Sequence, residues 1–174
     1  MLESQNINNL EKQSVNPESE DQEIKSIDDC LELIKNNGFA ELESITVQFH
    51  QKTANKLIDQ GEGRAVARNL DKLAGLDQET ANKLFDQGQG YAVANNLEKF
   101  AGLDHQETAN KLFDQGQGYE VAYNLDKFAG LDHQETANRL FDQGQGYAVA
   151  RNLDKFAGLD HQETANRLFD QGKG

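Results

Sequence analysis

Tryptophan is absent from this chain of 174 residues, and cysteine, proline and methionine occur once each. The lone Cys30 excludes an internal disulfide and any cysteine-built metal site. No run of 18 apolar residues occurs, so no segment reads as a membrane span. The N-terminus lacks the apolar core of a secretory signal, which leaves the cytoplasm as the default location. Basic residues are scarce as well. Seventeen Lys and Arg face thirty Asp and Glu, a formal charge of −13, with −7 of it in residues 1–52. Such a field keeps a protein dispersed and opposes nonspecific attraction to nucleic acid. No serine or cysteine nucleophile has a base on a neighbouring turn, so the chain is expected to have no enzymatic activity and no cofactor.

What the chain has is one stretch written several times. Leu103 to Gly130 reads LDHQETANKLFDQGQGYEVAYNLDKFAG, and its Thr-Ala-Asn block recurs at Thr80, Thr108, Thr136 and Thr164, a period of 28 residues. From Thr53 to Thr80 the step is 27, because Asp77-Gln78 lacks the histidine of Asp104-His105-Gln106. A fixed period of this size marks an array of stacked supersecondary units. Within one unit Asp104 is an N-cap candidate, with Glu107 where a capping-box partner belongs. Ala109, Leu112 and Phe113 share one face of the helix that follows, predicted over 105–115. Gly116 is the expected left-handed stop. A second helix is predicted over 119–129, with Val121, Ala122, Leu125, Phe128 and Ala129 as its apolar stripe and Gly130 as its end. Leu112, Phe113, Leu125 and Phe128 are the expected core. Helices of about 11 residues are marginal alone in water, so stacking on neighbours has to stabilise them.

Taken in order, residues 1–25 are polar, acidic and hold the only proline, Pro17, and are expected to be a disordered tail. Residues 26–49 resemble a worn repeat that caps the array, with Ser26 as helix cap and Phe39, Leu42, Ile45 and Val47 as a second apolar run. Residues 50–174 hold four repeats of 27–28 residues and a terminal half repeat. The expected fold is all-α, a right-handed solenoid of helix-turn-helix units.

Several recurring positions invite a functional reading. His50, His105, His133 and His161 occupy one slot, but residues a repeat apart cannot share a metal ion, and HExxH is absent, so no metal site is expected. Recurrent asparagines, Asn110 and Asn124 among them, are poor helix formers and are expected to staple turns or repeats through their amides. Gly116-Gln117-Gly118 lacks the third glycine, preceding strand and lysine of a phosphate loop. The informative positions are those that vary inside a constant frame: Arg64, Tyr91, Tyr119 and Tyr147 at the start of the second helix; Arg68, Asn95, Tyr123 and Arg151 four residues later; and Glu120 where other repeats carry alanine. Residues so spaced share a helix face, and tyrosine and arginine are the residue types enriched at binding hot spots. This ladder is the candidate partner-binding site.

The helix, glycine turn and helix unit resembles short-repeat α-solenoids: HEAT-like, tetratricopeptide-like and TAL-effector-like arrays, and tandem helical repeats of bacterial proteins that imply no known activity. The TAL-effector-like resemblance implies nucleic-acid reading by the inter-helix loops, here Gln89, Gln117 and Gln145 with Glu62 and Lys173 as variants. The 28-residue period, the tyrosine after the second glycine in three of four complete repeats and the acidic charge depart from that family. The expectation is therefore a scaffold that binds a protein partner through the exposed face of its second helices, with no membrane role. Nucleic-acid binding through the loops and self-association through the C-terminal end are the alternatives.

Overall fold

The computed structural model describes residues 26–172; the expected tail at 1–25 and the loop variant Lys173 lie outside the described residues. The structure is all-α. Ten α-helices follow one another among the described residues: α1 (Ile27–Asn37), α2 (Val47–Leu57), α3 (Gly63–Arg68), α4 (Gln78–Asp86), α5 (Gly90–Asn95), α6 (His105–Asp114), α7 (Gly118–Tyr123), α8 (His133–Asp142), α9 (Gly146–Arg151) and α10 (His161–Asp170). None is long and apolar enough to cross a membrane.

The first helix of each unit forms for the expected reasons. The Asp104 carboxylate accepts from the Glu107 amide at 2.9 Å, and Asp132 and Asp160 cap α8 and α10 in the same way. Ser26 caps α1 by accepting from the Asp29 amide. Gly116 and Gly130 take the left-handed conformation, with φ 70° and 77°. At α2, Phe49 stands where the other repeats carry the capping aspartate, and the helix starts earlier, at Val47.

The second helix differs from its prediction. It spans six residues, Gly118–Tyr123 in the third repeat, followed by a 3-10 turn at Leu125–Lys127, not a helix over 119–129. Asn124 is the cause. Its φ and ψ of −104° and 19° leave the helical region, and its amide donates to the Glu120 carbonyl four residues back. Asn69, Asn96 and Asn152 do the same in their repeats. An asparagine that bonds its own backbone competes with helix propagation, so the recurrent amide ends the helix and holds the turn. In the worn first unit, Phe39–Ser44 forms only a 3-10 helix.

One continuous core runs through the described residues and includes Leu112, Phe113, Leu125 and Phe128. Gly118 is placed for close approach: a Cβ there would lie 2.7 Å from the Phe113 ring. Neighbouring units are joined by side chains. Gln115 and Gln143 each donate to a phenylalanine carbonyl of the unit before, at Phe85 and Phe113. The Arg139 guanidinium lies 4.0 Å from the Phe113 ring centroid and bonds the Asn110 side chain. The second helices pack in succession, α3 on α5, α5 on α7 and α7 on α9.

Candidate functional site

The histidine ladder has a structural use. His50, His105 and His133 each accept, at Nδ1, the amide of the alanine 24 residues on, Ala74, Ala129 and Ala157, and so close each unit on itself. Where the histidine is missing, the corresponding Ala101 amide donates to the Leu76 carbonyl, in a short bridge between Leu76 and Phe100. The deleted residue is thus replaced by backbone pairing. The loop glutamines are also turned toward protein. Gln89 and Gln145 donate to backbone carbonyls at Gln87 and Gly116, and Gln117 is half-buried.

The ladder of varying residues lies along α3, α5, α7 and α9, at Arg64 and Arg68, Tyr91 and Asn95, Tyr119 and Tyr123, Tyr147 and Arg151. Seven of its nine members are exposed: Arg64, Arg68, Tyr91, Tyr119, Tyr123, Tyr147 and Arg151. Asn95 and Glu120 are not, which corrects the expectation that all nine face solvent. Asn95 is half-buried, donates to the Tyr91 carbonyl and accepts from the Asn124 amide of the next repeat. Glu120 retains 9% of its surface, because its slot lies against the neighbouring helix; Ala92 and Ala148 are buried in the same slot. Burial pushes the Glu120 carboxyl above the usual range, against the opposing hydrogen bonds of the Tyr119 and Asn95 side chains. Burial and the adjacent Glu120 charge push the Tyr119 phenol up as well.

Between α7 and α9 the structure gathers Tyr119, Tyr123, Tyr147 and Arg151 over Ala148 and Asn152, around a groove of about 330 Å³. Arg151 is the one charged group in its lining. Arg139 and Arg167 are engaged in inter-unit contacts. Arg64, Arg68 and Arg151 have no ion pair among the described residues, and all three are on the ladder. Lys155 lies 5.2 Å from the Tyr123 ring centroid and pairs with Asp126 at 2.9 Å, which holds the Asp126 carboxyl below the usual range.

A larger groove, of about 730 Å³, was not foreseen. It lies beside the worn unit, between Leu31, Ile34, Phe39, Leu57 and Gln60. The sequence signal was the apolar run after Gly38, which forms only the 3-10 helix Phe39–Ser44. No family model, curated protein or solved structure matches the chain.

Proposed function

We propose that the chain is a non-enzymatic helical-repeat scaffold, a right-handed α-solenoid that binds a protein partner through the face made by α3, α5, α7 and α9. The observation that carries this reading is Glu120. Drift at water-facing positions accounts for Tyr123, which is 61% exposed, but not for a buried carboxylate where every other repeat carries alanine. Burying an ionisable group without a cation costs stability, and such a cost fits a residue held for binding. The neighbouring tyrosines and arginines are the residue types that anchor protein interfaces.

The test is affinity capture from the source lysate, split into nuclease-treated and untreated halves. The scaffold reading expects the same proteins in both. Recovery that consists of nucleic acid and disappears with nuclease transfers the function to the Gly-Gln-Gly loops. Self-association through the C-terminal end is the other alternative. Light scattering that rises with protein concentration, and falls for Phe169→Ser, would favour it.

A further inference from the structure

We infer that Glu120, one residue from Tyr119 and three from Tyr123 on α7, is the receptor for a lysine or arginine side chain of an extended partner segment. The inference rests on the scaffold reading and specifies the partner's chemistry. Glu120 is more than nine-tenths buried, and no cation pairs with it among the described residues. Its hydrogen-bonding neighbours, the Tyr119 phenol and the Asn95 amide, carry no positive charge.

The nearby lysines are already engaged. Lys127 bonds the Asn95 carbonyl and lies 3.7 Å from Glu98; Lys155 bonds the Tyr123 carbonyl and Asp126. A buried carboxylate left without its counter-charge is stabilised by any cation that reaches it, and the Tyr119 ring attracts cations in addition. The formal charge of −13 draws a basic partner toward the whole molecule.

Arg151 then sets a register. It stands on the next second helix and repels another cation. Packed helices lie about 8–10 Å apart and an extended chain advances about 3.3 Å per residue. The segment that fits has a basic residue and, about three residues away, a neutral or acidic one. A strongly polybasic segment does not fit.

The test uses the full chain and short capped peptides of alanine and serine, each with one arginine and one glutamate three residues apart, followed by NMR. The arginine peptide is expected to shift the Glu120, Tyr119 and Tyr123 resonances saturably. Binding is expected to fall about tenfold or more when citrulline replaces arginine, and equally with Glu120→Gln, whose melting temperature serves as the folding control. Equal binding by the citrulline peptide, unchanged binding by Glu120→Gln, or no shift on α7 at the solubility limit of the peptide would each overturn the inference. The scaffold reading is separable from it. A lysate partner lost with Tyr123→Ala but kept by Glu120→Gln leaves the scaffold standing and removes the cation receptor. A partner kept by both variants removes both.

Discussion

At the scale of the residue, Glu120 is a carboxylate in a slot that fits alanine. Alanine fits its slot, as Ala92 and Ala148 show by being buried there. Glu120→Ala is therefore expected to stabilise the fold by about 1 kcal/mol, the size of a typical return to a repeat's common residue. The effect depends on pH. Because burial raises the Glu120 carboxyl in the folded state, the folded chain holds that proton to higher pH than the unfolded chain does. The stability contributed by the protonated group is full below the ordinary glutamate range and is lost as pH rises through the raised value. The variant's advantage should be widest at neutral pH and should shrink as pH falls into the ordinary carboxylate range. Thermal melts of both proteins across that window check it; an advantage that grew on acidification would contradict the assignment.

At the scale of the element, the repeat units are closed by side chains whose recurrence is visible in the sequence but whose use is not. The glycine stops, the aspartate caps and the core of Leu112, Phe113, Leu125 and Phe128 were legible, because each follows from local chemistry or from helical spacing. The length of the second helix was not. Apolar spacing continues through Leu125 and Phe128, whereas the backbone turns at Asn124, where one amide outweighs the periodicity. The histidines were legible only as one recurring slot, since the alanine amides they hold lie 24 residues away. The ladder's outline was legible too, but not the burial of Glu120 and Asn95, which depends on packing between α5 and α7. His105 bonds Ala129 and lies edge-on to the Phe128 ring at 5.8 Å. His105→Ala is expected to cost about 1–2 kcal/mol, the sum of a hydrogen bond and an aromatic contact. His161→Ala should cost nearly nothing, because His161 has neither contact among the described residues. Chemical denaturation of the two variants separates them; equal losses would show that the ladder acts by some other means.

At the scale of the whole molecule, successive units repeat one interface, in which the glutamine, the cation over the phenylalanine and the buried leucines recur. Where one set of contacts recurs along a chain, stability is spread over many similar contacts, so single positions on one face are free to diverge. Among the second helices divergence is strongest in the third repeat, where Glu120 and Tyr123 replace the Ala92 and Asn95 of the second. The most direct measurement is partner retention by the double variant Glu120→Ala, Tyr123→Asn, which gives the third repeat the second repeat's residues at these two positions. Its melting temperature is read alongside. The expected result is a chain at least as stable as the parent whose retention of the captured protein falls about tenfold or more. A stable double variant that retains its partner at parental strength would contradict the claim that this face does the binding.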